Sequence, residues 1–339
     1  MEERIDFNKG ISVIRNYPGG SNAVTILCMD ENEIFYRKYV LGTDGEKLWQ
    51  QIMWIEEHKD LLPLPRIIRK EKTAKHCFYD MEYIGHSSGL FEYAKSMQVD
   101  QTWSIIKAVL KRTEEAFYRE STVPADCATI HRYYKEKIRR NIDIIKESSL
   151  LKRLMSYNVL MINGREYANL PYYEKMLTED NLFAIFSQDR YCKIHGDLTM
   201  ENIICTRGEN GEDNFYLIDP NTGNIHNSAN LDYAKLFQSV HGEYEFIKTA
   251  KEVTVYENEI RFIYTHSAVY SELFNRLKKY LAEVFDQKTI KSIYFHEIVH
   301  WLRLIPYKLK NDPYQTPAFY GKMIVIMDEV RRMFYEWKE

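Results

Sequence analysis

A short run of polar residues in the second half of the chain has the composition that phosphoryl transfer requires. Asp197 is followed five residues later by Asn202 in a loop before a predicted strand, and Asp219 ends the next predicted strand. One carboxylate must orient an attacking hydroxyl or accept its proton, while a second carboxylate and an amide oxygen hold the divalent metal that neutralises phosphate charge. Asp197 fits the first role. Asn202 and Asp219 fit the second, because hard cations prefer oxygen ligands.

These residues lie in segments that resemble the aminoglycoside phosphotransferase and choline kinase group of small-molecule kinases. The segments that carry the resemblance are His195-Gly196-Asp197…Asn202, Ile218-Asp219 and Leu231-Asp232-Tyr233-Ala234. The resemblance implies an α+β, two-lobed protein-kinase-like fold with a small β-rich N-lobe and a larger, mainly helical C-lobe. It also implies an ATP-dependent phosphotransferase that uses Mg²⁺ and moves the γ-phosphate to a hydroxyl of a small metabolite. His195 is expected to brace its loop by hydrogen bonds.

The resemblance further implies a set of nucleotide-binding residues. They are Gly20 and Ser21 in the loop after the first strand, Lys38 on the third strand, and the Glu82 carbonyl and Ile84 amide of the connection between the lobes. Because side chains alternate along a strand, Arg37 and Lys38 point to opposite faces, and Lys38 is favoured over Arg37 as the phosphate-pairing residue.

The chain departs from the family at the partner of this lysine. Gln51 falls where the family usually has a Glu, and Glu46 is the nearest acid before it, so the sequence leaves open which of the two contacts Lys38. The metal segment reads Asp219-Pro220-Asn221, and its proline should stiffen the backbone. The interval from Asp219 to the helix at Asp232 leaves no room for a long activation segment, which argues against a protein kinase.

Hydrophobic periodicity predicts how these segments are organised. Residues 1–84 read as a nucleotide-binding lobe with five strands and one helix, the helix over 45–58 and the fourth strand near 64–68. Residues 85–339 read as a mainly helical lobe that holds the catalytic loop 195–202, the metal segment 218–221 and acceptor-binding helices. Asn163-Gly164 predicts a tight hairpin inside this lobe, and residues 262–285 are expected to be helical.

Composition limits the classes of partner. The chain has 339 residues and a net charge of −3, so it lacks the basic excess of a protein that binds nucleic acid through phosphates. No apolar run reaches membrane-spanning length, and five cysteines without C-x-x-C spacing fit a reducing cytoplasm. The expected partner is a small-molecule hydroxyl acceptor: a sugar, amino sugar or amino alcohol. The sequence does not distinguish ATP from GTP and gives no oligomeric state.

Two other functions compete with the kinase hypothesis. The Gln51 departure is compatible with a catalytically silent, kinase-like nucleotide-binding or scaffold protein. His296-Glu297-x-x-His300 fits the zinc-peptidase pattern, in which two imidazoles on one helix face bind zinc. That pattern lacks an evident third ligand, and a helix that packs Phe295, Val299 and Leu302 into the core is the favoured interpretation.

Overall fold

The structure is a computed structural model that describes residues 10–17, 23–31, 33–42, 45–119, 122–207 and 213–335. Its strands are Ser12–Tyr17 (β1), Val24–Met29 (β2), Ile34–Leu41 (β3), Ile67–Lys72 (β4), His76–Glu82 (β5), Ser87–Gly89 (β6), Val123–Pro124 (β7), Val159–Ile162 (β8), Arg165–Ala168 (β9), Arg190–Tyr191 (β10), Ile203–Arg207 (β11), Asp213–Leu217 (β12), Lys251–Tyr256 (β13) and Glu259–Ile263 (β14). Its α-helices are Gly45–His58 (α1), Leu90–Ser96 (α2), Val99–Thr113 (α3), Cys127–Tyr133 (α4), Arg140–Glu147 (α5), Lys152–Met155 (α6), Leu170–Tyr173 (α7), Glu179–Phe186 (α8), Ala229–Val240 (α9), Tyr244–Ile247 (α10), Ala268–Val284 (α11), Gln287–Asn311 (α12) and Thr316–Phe334 (α13).

The described residues form two compact units. The first contains the described residues up to Leu90 together with Asn202–Gly223, and the second contains Phe91–Glu201 and the described residues from Asn224 onward. Each unit is therefore discontinuous along the chain. The lobe limits 1–84 and 85–339 stay a prediction.

The first unit contains the five strands and one helix that the sequence predicts. An antiparallel sheet has the order β1-β2-β3-β5-β4, and α1 buries Leu48, Ile52 and Ile55 at helical spacing. The fourth strand begins at Ile67, not at residue 64 as predicted. Pro65 offers no N–H to a neighbouring strand, so regular pairing starts only beyond it.

A second, smaller sheet in the first unit lies directly before the segment 218–221. It has the order β12-β11-β6, and β11 pairs with β12 in antiparallel register from Ile203 opposite Leu217. The Ile218 N–H extends the ladder by donating to the Asn202 carbonyl at 3.0 Å. The hairpin register therefore brings Asn202 alongside the residue that precedes Asp219.

The second unit is mainly helical, and α12 packs against α9 and α13 at its centre. The predicted hairpin is present: Asn163 and Gly164 join β8 to β9 with φ values of 48° and 80°, as a two-residue primed turn requires. The prediction of a helix from residue 262 is wrong at its start, because β13 and β14 form a hairpin and α11 begins only at Ala268. Alternating burial along β14 explains the difference, since a strand buries every second residue.

The α+β class predicted from the sequence is confirmed: strands dominate the first unit and helices the second. Among the residues that the structure describes, no helix is long and apolar enough to cross a lipid bilayer.

Candidate functional site

The structure brings together two of the predicted site residues of the first unit. Lys38 on β3 donates from Nζ to Asp219 Oδ1 at 2.6 Å, although the two residues are 181 positions apart in the chain. The Lys38 side chain is only 8% exposed, whereas that of Asp219 is 35% exposed. Lys38 is thus held in a fixed direction, while the Asp219 carboxylate stays open to a ligand.

Gln51 on α1 is the residue that supports Lys38 from the helix. Its Oε1 accepts from Lys38 Nζ at 3.1 Å, and its Nε2 donates to the Pro220 carbonyl at 2.8 Å. Glu46, the alternative partner, forms an ion pair with Lys72 instead. An amide can accept from a lysine and donate to a carbonyl at the same time, which a carboxylate cannot do. Gln51 can therefore make the contact with the Pro220 carbonyl that a Glu at this position could not make.

The backbone at Asp219 is itself strained. Its φ of 57° lies in the left-handed region, which costs a non-glycine residue on the order of 1–3 kcal/mol and is found most often at functional sites. The contacts of Lys38 with its carboxylate and of Gln51 with the next carbonyl hold this conformation. The strain is consistent with a side chain that is positioned for a ligand.

Arg37 lies on the opposite face of β3, as alternation predicts. Its guanidinium makes two hydrogen bonds with the Asp80 carboxylate, at 2.7 and 2.9 Å, and Arg69 Nε donates to the same carboxylate at 2.7 Å. Asp80 is fully buried. Arg37 is therefore part of a buried ion-pair network within the sheet, which leaves Lys38 as the candidate for phosphate pairing.

The remaining nucleotide-binding predictions fall at two places. Gly20 and Ser21 lie outside the described residues. Glu82 ends β5, and Ile84 follows it in a segment without regular structure, where its carbonyl accepts from Ser87 Oγ at 2.7 Å. No described residue accepts a hydrogen bond from the Ile84 amide. This N–H is thus available to an acceptor atom such as a ring nitrogen.

In the second unit, Asp232 shapes the loop that carries Asp197. Its carboxylate, fully buried near the start of α9, accepts from the backbone N–H groups of His195 and Gly196 at 2.8 and 2.7 Å. Tyr118, in a π-helical turn that follows α3, donates to the same carboxylate at 2.8 Å. Burial raises the pKa of Asp232, and these contacts oppose that rise. His195 also braces the loop, because its Nδ1 accepts from the Asp197 amide at 3.3 Å.

Asp197 has a partner that sequence reasoning missed. Lys235, one turn after Asp232 on α9, places Nζ 3.0 Å from Asp197 Oδ1. Burial opposes ionisation of Asp197, but the Lys235 ammonium outweighs it and lowers the pKa of the carboxyl. Asp197 is therefore ionised at neutral pH. Its side chain is 37% exposed. The available signal was helical spacing, since Lys235 lies three residues after the matched Asp232.

The His-Glu-x-x-His segment of α12 does not form the zinc site of a peptidase. Each side chain contacts a different partner: His296 Nε2 contacts Asp189 at 2.9 Å, Glu297 accepts from His241 Nδ1 at 2.9 Å, and His300 Nε2 contacts the Leu231 carbonyl at 3.2 Å. All three are buried in the helical core. The core interpretation of this motif is the one that the geometry supports.

A buried cluster of Asp189, His226 and His296 has its ligand atoms within 4.8 Å of one another. Both imidazoles contact Asp189 Oδ2 through Nε2, at 2.7 and 2.9 Å, and tyrosine hydroxyls contact both Nδ1 atoms. Burial raises the pKa of Asp189, but hydrogen bonds from the two histidines outweigh it and lower the pKa below its usual value. The cluster is thus an ionised aspartate that accepts from two imidazoles, and the second nitrogen of each imidazole is already in contact with a tyrosine hydroxyl.

The fold of the chain is similar to that of several solved kinases. A protein assigned as a fructosamine-3-kinase from Haemophilus somnus 129PT superposes with a TM-score of 0.53 at 11% identity, covering 94% of this chain and 91% of that one. An ethanolamine kinase from Plasmodium vivax gives a TM-score of 0.52 at 13% identity, covering 95% and 84%. An aminoglycoside phosphotransferase, APH(4)-Ia, in ternary complex with AMP-PNP and hygromycin B gives 0.57 at 10% identity, covering 94% of both chains.

These likenesses confirm the predicted fold, and at such low identity they concern the fold alone. No protein-family model matches the sequence, and comparison with curated protein sequences finds no match. The roles of the individual residues therefore depend on the geometry described above.

Proposed function

The chain has the fold of the aminoglycoside phosphotransferase and choline kinase group, and on that premise we propose that it is an ATP-dependent phosphotransferase that acts on a hydroxyl of a small molecule. In each unit, the residues that such an enzyme needs have contacts that would fix their positions. Lys38 and Asp219 are paired in the first unit, and Asp232 shapes the loop of Asp197 in the second.

Each residue has a proposed task. The acceptor's hydroxyl oxygen forms a bond to the γ-phosphorus of ATP as the bond to the β–γ bridging oxygen breaks, ADP leaves with that electron pair, and the hydroxyl proton goes to Asp197. Lys38 pairs with phosphate oxygens, and the Ile84 amide donates to the base. Asn202 and Asp219 carry the amide and carboxylate oxygens that suit Mg²⁺, which when bound neutralises charge on the phosphates.

The observation that carries this proposal is the contact between Lys38 and Asp219. A lysine expected at the phosphates and a carboxylate expected at the metal come from distant segments, yet their atoms lie 2.6 Å apart. Asp219 also keeps a strained backbone, with a φ of 57°. The left-handed backbone distinguishes Asp219 from Asp80, the carboxylate of the structural ion pair with Arg37.

The test is ATP consumption across a panel of sugars, amino sugars, amino alcohols and hydroxy acids. We expect ADP to form with at least one class of acceptor, and ³¹P NMR to show a new phosphate ester. Asp197→Asn should lower kcat by about 10²- to 10⁴-fold, because general-base assistance contributes that much. Asp180→Asn, a matched change at an exposed position of α8, should leave kcat unchanged.

Two results would overturn the proposal. If the protein binds ATP but forms no phosphate ester with any acceptor, the catalytically silent scaffold becomes the better hypothesis. If Asp197→Asn is as active as the unmodified protein, the chemistry lies elsewhere in the chain.

A further inference from the structure

Lys235 is a buried cation at the predicted catalytic aspartate. Its side chain is 13% exposed, and its Nζ contacts Asp197 Oδ1 at 3.0 Å and donates to Gln238 Oε1 at 2.9 Å. Burial lowers the pKa of this lysine, and the Asp197 carboxylate opposes that effect. Removing an ammonium from water is costly unless an anion compensates it, so an ionised Lys235 requires a negative charge beside it.

A second cation, Arg303, lies on the side of α12 that packs against α9. His300, one turn before Arg303, contacts the Leu231 carbonyl at 3.2 Å, and Lys235 lies one turn after Leu231 on α9. Burial is the main cause of the lowered pKa of Lys235, and the guanidinium charge of Arg303 adds to it. Arg303 is half-buried, and within the described part of the chain no residue forms a hydrogen bond or ion pair with it.

The two cations differ in whether a carboxylate pairs with them directly. Asp197 is the one described carboxylate that pairs with Lys235. Asp232 accepts hydrogen bonds from two backbone amides and from Tyr118, and its negative charge also favours the ionised form of Lys235. Among the described residues Arg303 therefore has no carboxylate partner, and its guanidinium is available to an incoming anion.

Resting on the proposed function, we propose that Lys235 and Arg303 form an anion-binding subsite beside Asp197, and that the acceptor is a hydroxy compound carrying a carboxylate or phosphate group. The acceptor's anion replaces Asp197 as the partner of Lys235. Asp197 is thereby released to orient the hydroxyl and take its proton. An amino alcohol or aminoglycoside lacks the group that makes this exchange.

The first experiment measures steady-state kinetics with matched acceptors of different charge. The pairs are glycolate against ethanolamine, and gluconate and glucose 6-phosphate against glucose and glucosamine. We expect kcat/KM to favour the anionic member of each pair. In Arg303→Gln the KM for anionic acceptors should rise about tenfold to hundredfold with kcat nearly unchanged, because a charged hydrogen bond is lost. Arg303→Lys should restore part of the affinity for anionic acceptors. The exposed control Arg140→Gln should have the same KM and kcat as the unmodified protein.

The second experiment does not depend on turnover. Isothermal titration with inorganic sulfate, in the presence of AMP-PNP and Mg²⁺, should show binding that is weakened in Lys235→Gln and in Arg303→Gln but not in the exposed control Lys279→Gln. Near-identical far-ultraviolet circular dichroism spectra would establish that the variants are folded.

The outcomes separate the two proposals. Turnover that prefers ethanolamine or glucosamine overturns the anion subsite and leaves the kinase function intact. An equal loss of kcat for all acceptors in Lys235→Gln and Arg303→Gln also overturns the anion subsite, since the two cations would then act on the transferred phosphoryl group. If no acceptor turns over, the kinase function fails, and the sulfate titration alone decides the subsite: weaker binding in both variants supports it, and unchanged or absent binding overturns it.

Discussion

At the scale of single residues, Gln51 shows how one amide can replace a carboxylate. It accepts from Lys38 and Tyr79 through Oε1 and donates to the Pro220 carbonyl through Nε2. Because the donor holds the backbone next to the strained Asp219, the amide fixes both the lysine and the metal segment. The family's Glu would hold only the lysine.

Gln51→Glu tests this interpretation. The variant turns a donor into an acceptor that faces the Pro220 carbonyl oxygen, so we expect the free energy of unfolding to fall by about 1–3 kcal/mol. Urea unfolding at pH 7 measures it. Gln287→Glu, at an exposed position in the first turn of α12, is the matched control and should change stability by less than about 0.5 kcal/mol. Equal stability of Gln51→Glu and the unmodified protein would show that the Pro220 contact contributes nothing.

At the scale of elements, the turn between α9 and α10 is closely packed against α12. A Cβ added to Gly242 would lie 2.5 Å from Trp301 Cζ2 and 2.6 Å from the Gln238 carbonyl oxygen. Trp301 is fully buried, so its ring cannot relieve the clash by moving toward solvent. Glycine is thus required here by close approach.

Gly242→Ala should therefore destabilise the protein by about 1–3 kcal/mol or more, the usual cost of overpacking a core. Gly223→Ala is the matched control, because its Cβ would meet nothing nearer than Asn221 Oδ1 at 3.6 Å. Thermal unfolding of the two variants side by side measures the difference. Similar midpoints for both would contradict the close contact with Trp301.

Glu245 on α10 connects the loop 195–202 to the helical core. Ser239 Oγ accepts from the Met200 amide at 3.1 Å and donates to Glu245 Oε1 at 2.7 Å. Tyr270 donates to the other oxygen at 3.4 Å. The carboxyl is almost fully buried, and burial raises its pKa to about 7.

This raised pKa predicts a pH-dependent stability. The folded carboxyl keeps its proton up to about pH 7, whereas the unfolded one loses it near its ordinary value of 4.5. Glu245 therefore makes the folded state less stable as pH rises through this interval. Glu245→Gln should remove the effect, so the unfolding free energy of the variant relative to the unmodified protein should rise by on the order of 2–3 kcal/mol between pH 5 and 8.

Urea unfolding across that pH range provides the measurement. Glu283→Gln, an exposed change on α11, should give a difference that does not vary with pH. A pH-independent difference for Glu245→Gln as well would mean that Glu245 is ionised throughout the range.

At the scale of the whole molecule, the five cysteines differ in their exposure to solvent. All five are free thiols; Cys127 is exposed, and Cys192 is half-buried. The buried ones are Cys28, Cys77 and Cys205. Burial raises the pKa of Cys28 and Cys77 to about 11 and that of Cys192 to about 12. Because the thiolate is the nucleophile, these three should react slowly at neutral pH.

Titration with Ellman's reagent at pH 8 should accordingly show one fast thiol per chain, and five in denaturant. Cys127→Ser should remove the fast phase and leave four thiols in denaturant. Two or more fast thiols in the native protein would show that one of the other four cysteines is accessible.

The sequence by itself determined the chemistry-bearing motifs, the α+β class and the alternation on β3. These are local properties: Asp197 and Asn202 lie in one loop, and Arg37 and Lys38 diverge because side chains alternate along a strand. Periodicity misplaced the start of α11 because β14 has a short apolar pattern that also fits a helix.

Tertiary structure alone decided which distant groups meet. Whether Glu46 or Gln51 would contact Lys38 depended on the packing of α1 against the sheet, and the pairing of Lys235 with Asp197 depended on how a loop folds over α9. Such contacts join residues far apart in the chain, and the energy that selects them comes from burial and from satisfying buried polar groups. Those terms take a value only once the whole chain has packed.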